Sequence, residues 1–367
     1  MTGGTNMGGK FVGILFNSSM YQGISRLRTG QESLSNYEDA ASLYGINPCF
    51  LRLEDIDILS GYSHAYIKES QGYKRKVIPI PDVIHNRAIY SQNNTRMDQL
   101  IQRGPLIFNS CNRYGKDVIH KLLGDRPELK RYLPVTEKGI HGLQVMMNRF
   151  PDLILKPCRG SIGNGVMRLI HTGRGLWNWK YRVPSTGSWA NLSLHQNDLP
   201  RQLVSRLTAV PYLVQERIPL AEVEGRPFDL RVTVQRGWGG EWQITGLFAK
   251  LAPAGGFVSN IARGGEAVSS SFALESVFPK VTAANVRMSA CRLSLSIARC
   301  LELSLPGLAD IGLDIGITGD GSLFFIECNG RDQRYGFRKA GLIRAWKDSY
   351  SQPMGYAHYL LERNPKG

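Results

Sequence analysis

Short apolar runs broken by glycine and proline alternate along this chain with stretches of three-to-four spacing, so strands and helices are interleaved. Residues 11–17 and 48–53 read as strands, and 33–44 as a helix with Leu34, Tyr37, Ala41 and Tyr44 on one side. Residues 77–79 and 83–85 are extended and punctuated by proline, while 55–73 fits neither period. Asn86 and Arg87 follow a strand and are expected in a solvated loop. These elements predict a first α/β domain over residues 1–105.

A second unit is expected over 106–210. It opens on a strand at 104–109 and a helix at 113–123, with Tyr114, Val118 and Leu122 on one stripe. Thr136 is an N-cap candidate for a helix running to Phe150. Leu153, Ile154 and Leu155 form a strand, and residues 166–170 a second one. Residues 171–210 are irregular; they suggest a long hairpin and a helix near 202–207, with Trp177, Trp179 and Trp189 assigned to packing. The third unit, 211–367, holds strands at 212–218, 226–234 and 243–251 and a loop at 257–268. Its helix at 281–303 is the longest, with Val286, Ser289, Leu293, Ile297, Cys300 and Leu301 facing inward. A hairpin follows at 310–329.

Composition adds limits. The 367 residues, 42% hydrophobic and 20% charged, are enough for two or three globular domains. No apolar run reaches bilayer length, and no secretory segment opens the glycine-rich start, which is expected to fray. The six cysteines form no C-x-x-C pair, which argues for reduced thiols in a cytosolic setting and against zinc. A net charge of +15 favours polyanions or phosphate-bearing small molecules. The basic residues are dispersed, which argues against nucleic acid.

Two stretches carry candidate chemistry. At the end of the 153–155 strand stand Lys156 and Pro157, followed by Arg159, Gly160, Ser161, Ile162, Gly163, Asn164 and Gly165. A lysine beside a glycine-rich loop can clamp phosphate, because backbone N–H groups close over an anion with no Cβ in the way. The order is neither a Walker A loop nor a Rossmann fingerprint. The second stretch has Asp320-Gly321 between two apolar runs, a two-residue hairpin signal. That turn sets Asp314 opposite Glu327 and Ile315 opposite Ile326, with Asn329 on the face of Glu327. Facing carboxylates repel. A divalent cation would offset this, and so would a shared proton or a neighbouring Arg or Lys. Two carboxylates and an amide oxygen suit magnesium, with manganese as the alternative ion. Asp229 and Arg231 share one strand face, either as an ion pair or with the arginine free for a phosphoryl group.

Lys156-Pro157, Arg159–Val166, Gln215-Glu216-Arg217-Ile218, residues 225–235, residues 260–265 and Asp314…Glu327-Cys328-Asn329 together resemble the ATP-grasp superfamily, and within it the YheC/YheD type associated with spore-forming bacteria. The resemblance spans about 108–341. It implies an α/β (α+β) ATP-grasp fold with an N-terminal pre-ATP-grasp domain. It also implies ATP bound by Lys156 and, earlier in the chain, Lys116, under Arg159, Gly160, Ser161, Gly163 and Gly165. Gln215, Glu216 and Ile218 would border the adenine, Glu216 through its side chain or backbone, and Asp229 would lie near the ribose. Arg231 would meet the γ-phosphate with Lys250 as helper, and Asn260 and Arg263 would stand at the acceptor end. Asp314, Glu327 and Asn329 would hold magnesium. Where the family often continues Asn-x-x-Pro-Gly, this chain has Asn329 followed by Gly330, Arg331, Asp332, Gln333 and Arg334. Arg331 and Arg334 are therefore expected to grip an acidic substrate, with plain surface charge as the alternative.

The implied reaction joins a small-molecule or peptide carboxylate to an amine or thiol through an acyl-phosphate. A small-molecule kinase on the same fold and a nucleotide-binding spore-layer protein are the alternatives. A cytoplasmic location with spore association is implied. The sequence leaves the oligomeric state open, a homodimer included.

Overall fold

The protein's structure, a computed structural model, describes residues 10–90, 94–160, 163–183 and 185–363. Three sheets carry it. In the first, the apolar strands Phe11–Leu15, Asn47–Leu51, Val83–Asn86 and Leu106–Phe108 pair in parallel. The stretch 55–73, ambiguous by period, forms Ile56–Asp57 and one arm of the hairpin Tyr62–Glu69 with Gly72–Pro79 on this sheet's flank. Ser33 caps the helix Leu34–Ser42 by accepting from the Asn36 N–H at 3.3 Å. That helix and the C-terminal helix Ile343–Arg363 bury Tyr37, Tyr350, Met354 and Leu361 against Val12, Ile14 and Phe50. Pro353 lies inside the C-terminal helix. A proline there cannot donate to the carbonyl four residues back. Gln235 Nε2 donates to that carbonyl, of Ser349, at 2.9 Å instead.

The second sheet runs Trp189–His195, Leu176–Arg182, Met167–Gly173, Asp152–Pro157, Tyr212–Glu216 and Thr136–Lys138, antiparallel throughout. The irregular stretch is thus a regular hairpin plus the helix Arg201–Ala209. Trp177 and Trp179, two residues apart, point into the same core with Leu153, Leu155 and Leu203. Thr136 is not a cap. Pairing with Gln215 draws it into a strand, and the helix Gly139–Met147 starts after it.

The third sheet has the order Glu266–Ser269, Trp242–Leu251, Arg226–Arg236, Asp310–Ile317 and Leu323–Asn329, with Glu222–Val223 beside Arg226–Arg236. The helix Lys280–Glu302 packs Val286, Leu293, Ile297 and Leu301 on one face of this sheet. The hairpin differs from the expected two-residue turn. Ile317 pairs with Leu323, and the Thr318 N–H donates to Ser322 O at 3.0 Å, so the turn is longer. Ile315 therefore opposes Phe325, not Ile326. A bulge at Ile326 then restores the register, and Asp314 does face Glu327, with Gly312 opposite Asn329.

Asn86 and Arg87 are buried rather than solvated. The Arg87 guanidinium donates to Glu32 at 2.7 Å and to Asp310 at 3.3 Å. No described helix is long and apolar enough to cross a membrane. The six cysteines are unpaired.

Candidate active site

The cleft between the second and third sheets, of about 1090 Å³, is lined by Lys116, Lys156, Gly160, Gly163, Gln215, Glu216, Ile218, Asp229, Lys250, Asn260, Asp314 and Glu327, among others. Most of the candidate residues therefore meet in one place. Arg231 and Asn329 line an adjoining cavity of about 550 Å³ that shares Lys250, Asn260, Asp314 and Glu327 with the cleft. Arg159, Gly165 and Arg263 line neither. Ser161 and Ile162 lie outside the described residues.

Lys156 stands near the end of a strand that is interior to its sheet. Its Nζ donates to the Ile326 carbonyl at 3.0 Å, across the cleft. Burial pushes its pKa down to about 8, with Lys116 adding to the fall and Glu327 opposing it. Lys116, first in the helix Lys116–Gly124, spans the loop and the hairpin: 3.1 Å to the Gly160 carbonyl and 3.0 Å to Glu327 Oε1. Gly165 has φ +74°, and a Cβ there would come within 2.9 Å of the Tyr212 hydroxyl, so glycine is required. Arg263 donates to Asn164 and ties the 260–265 loop to the tip of the glycine-rich loop.

On the third sheet, strand pairing explains the charges. Lys250 is opposite Asp229; Arg231 is opposite Asp314, which is opposite Glu327. Lys250 Nζ lies 3.0 Å from Asp229 and 2.9 Å from Asp314. Asp229 pairs with this lysine and the Ser259 hydroxyl, not with Arg231. Burial, with Asp314 beside it, raises the Asp229 pKa against the pull of Lys250. Arg231 grips Asp314 at 2.6 and 3.2 Å and Asp332 at 2.9 Å. Burial disfavours the Asp314 carboxylate, but Arg231 and then Lys250 outweigh it and hold its pKa at about 2. The repulsion between facing carboxylates is thus answered by cations: Arg231 and Lys250 on Asp314, Lys116 on Glu327.

Several expectations shift. The Glu216 side chain accepts from the Val135 N–H at 2.8 Å, and its own N–H donates to the Val135 carbonyl at 3.1 Å, so it braces the first strand of its sheet. Gln215 donates to Thr136 at 2.7 Å. Ile326, expected to point away, lines the cleft together with Ile154, Val166, Ile218 and Leu220, apolar walls suited to a planar base. Arg334 grips no substrate. It is 2% exposed and bound to Asp310 at 2.8 Å, next to Glu32. Arg331 lies 3.6 Å from the same Glu32. Asp332 was not singled out by sequence, and it holds both Arg231 and Thr233.

Residues 104–360 match the YheC/D-like ATP-grasp family. The chain belongs to that family. Among curated relatives from Bacillus subtilis (strain 168), it is 22% identical to the endospore coat-associated protein YheD over 314 residues, 83% of this chain and 68% of that one. It is also 22% identical to the endospore coat-associated protein YheC over 340 residues, 87% of this chain and 90% of that one. Among solved structures it shares its fold with the VanG D-Ala:D-Ser ligase of Enterococcus faecalis, at TM-score 0.52 and 12% identity, covering 95% of this chain and 99% of that one. The D-cycloserine synthetase DcsG gives TM-score 0.51 and 12% identity, covering 96% and 99%. The fold is therefore ATP-grasp, of mixed helices and sheets.

Members of this fold typically use magnesium, and the donor set here fits a hard cation. Glu327 keeps an oxygen beyond the one that meets Lys116, and Asn329, whose amide would ligate through its oxygen, lines the same cavity. The two carboxylates and this amide surround one end of the cleft system. Among the described residues no group of three His, Cys, Asp or Glu side chains gathers, in keeping with a set whose third member is an amide.

Proposed function

We propose that this chain is an ATP-dependent ligase that joins a carboxylate to an amine or thiol. One observation carries this reading: the two lysines of the glycine-loop side, Lys116 and Lys156, reach across one cleft onto the acidic hairpin at Glu327 and Ile326. In this reading the base lies between Ile154, Ile218 and Ile326, with Asp229 toward the ribose, while Lys116, Lys156 and the glycine loop, with Arg159 at its flank, hold the phosphates. Lys250 and Arg231 stand where the γ-phosphoryl group would sit, each already oriented by carboxylates. Asn260 faces the adjoining cavity as an acceptor-end group, and Arg263 steadies the loop above it. Asp314, Glu327 and Asn329 would hold magnesium, which when bound neutralises phosphate charge and orients the leaving oxygen.

The substrate carboxylate oxygen attacks the γ-phosphorus, forming an acyl-phosphate and releasing ADP. The nucleophile then adds to the carbonyl carbon, loses its proton and expels phosphate. Holding both partners in place does most of the catalytic work. The glycine loop closed by Lys116 keeps water from the acyl-phosphate. We assign residues 1–105, 106–210 and 211–367 to three units that follow the three sheets except at the two boundaries, where Leu106–Phe108 pairs into the first sheet and Tyr212–Glu216 into the second. We further infer a spore-associated setting inside the cell, after the names of the relatives.

The test is phosphate release from ATP with paired carboxylates and amines. Release that requires both substrates and yields an amide supports the ligase. A stable phosphorylated product formed with one substrate favours a kinase instead, and no ATP turnover with any pair would sink the enzyme reading.

A further inference from the structure

At the reacting end Lys250, Arg231 and Lys116 are each matched by carboxylates. Lys250 serves Asp229 and Asp314, Arg231 serves Asp314 and Asp332, and Lys116 serves Glu327. None of these is spare for a charged part of the substrate remote from the reacting carboxylate. The adjoining cavity ends at Gln333 and Tyr335. Tyr335 also lines a second cavity. That cavity lies between the first sheet's hairpin, at Lys68 to Tyr73, and the helix Tyr335–Lys339 that follows the acidic hairpin.

Its charges differ from those of the cleft. The two carboxylates on its wall are taken: Glu32 by Arg87 at 2.7 Å, and Glu69 by Lys74 and Lys76. Arg338 and Lys339 form no ion pair with a carboxylate among the described residues, and Lys68 only favours the Glu38 carboxylate through space. Arg338 lies over the Trp346 ring and Lys339 over the Tyr335 ring, so the latter ammonium sits beside a residue that lines both cavities. Gln31, Ser70 and Gln71 add amide and hydroxyl groups to the same wall.

We propose that the cavity beyond Tyr335 binds the remote part of an acidic oligopeptide substrate, whose reacting end passes Tyr335 to the phosphates and whose side-chain carboxylates meet Lys68, Arg338 and Lys339. Peptide fits better than nucleic acid because the wall mixes amide and hydroxyl partners with only three dispersed cations, and no ladder of cations tracks a backbone. This rests on the ligase reading above, and it names the substrate class for that site.

The experiment is calorimetric titration of the ADP-loaded full chain with hexaglutamate, with a Gly-Ser hexapeptide and a single-stranded DNA hexamer in parallel. Hexaglutamate should bind, the neutral peptide should not, and Arg338→Glu with Lys339→Glu should weaken hexaglutamate about tenfold. A second double variant, Arg287→Glu with Arg292→Glu on the distant helix Lys280–Glu302, should leave hexaglutamate binding within about twofold. Equal loss in both variants would mean generic charge attraction and overturn the site. Absence of hexaglutamate binding, or tighter binding of DNA, would overturn the substrate class. ADP affinity, measured first on each protein, reports on the nucleotide reading separately and should not change in either variant.

Discussion

Two clusters of buried charge share the strand Asp310–Ile317, one at Asp314 and one at Asp310, and they have opposite uses. Around Asp314 the charges border cavities on the cleft side, and Glu327 keeps 30% of its side chain exposed. Around Asp310 there is no exit. Arg87, Arg334 and His85 converge on one carboxylate that is 0% exposed, Gln235 donates to its other oxygen, and Asn109 holds the backbone of the same residue. Burial opposes the charge on Asp310, but Arg334, His85 and Arg87 hold its pKa well below the usual range; His85, driven down to about 4 by burial, stays neutral. Stripping water from such groups is costly, and only full pairing offsets it. The sealed cluster joins the first sheet to the third; the open one keeps its charges where a ligand can reach them. Asp332 connects the two, its carboxylate on Arg231 and its carbonyl on Arg87 at 2.7 Å. Accessibility, not charge pairing, separates assembly from chemistry here.

The contrast can be broken first at the sealed cluster. Arg334→Ala leaves Asp310 and Glu32 short of a partner and should cost about 3–5 kcal/mol of stability in urea unfolding. ADP affinity of the folded fraction should be unaltered; a loss below about 1 kcal/mol would erase the distinction. Next, Glu327→Gln or Asp314→Asn should lower ATP turnover about a hundredfold or more. For Glu327→Gln the unfolding free energy should move by less than about 1 kcal/mol, because its pair with Lys116 is partly exposed. Unchanged turnover in either variant removes the metal assignment. Asp332→Asn should show both phenotypes in reduced form: about tenfold lower kcat with KM held, and about 1–3 kcal/mol of stability lost.

The smallest effect is a pH dependence. With a pKa of about 8, Lys156 gives up its proton as pH rises through that value, well before an ordinary lysine does. ADP affinity should therefore fall roughly tenfold between about pH 7 and about pH 9. Lys156→Met should bind ADP weakly at both pH values, and a wild-type affinity that stays flat would exclude Lys156 from the phosphate clamp.

What the sequence revealed was local. The lysine and glycine loop are contiguous, and the Asp320-Gly321 turn signal puts Asp314 across from Glu327. What it hid depends on strand order. Arg231 meets Asp314, not Asp229, because Arg226–Arg236 lies between Trp242–Leu251 and Asp310–Ile317. The Ile326 bulge cancels a turn one residue longer than expected, so two local errors left the key register intact. Arg87 looked solvated and Arg334 looked like a grip for substrate because their partners are far away in sequence. A trace of signal was there for others: Trp177 and Trp179 share a strand face, and Tyr350, Met354, Ala357 and Leu361 keep a helical rhythm through Pro353.

The bulge also has a mechanical consequence. The carbonyl of the bulged Ile326 takes the Lys156 ammonium, so one clasp fastens the two lips of the cleft. In the reading proposed above, the hand that closes the clasp is also the one that seizes the triphosphate, so a nucleotide enters only by prising that grip loose, and departing product lets it shut again. Loading and opening become one event.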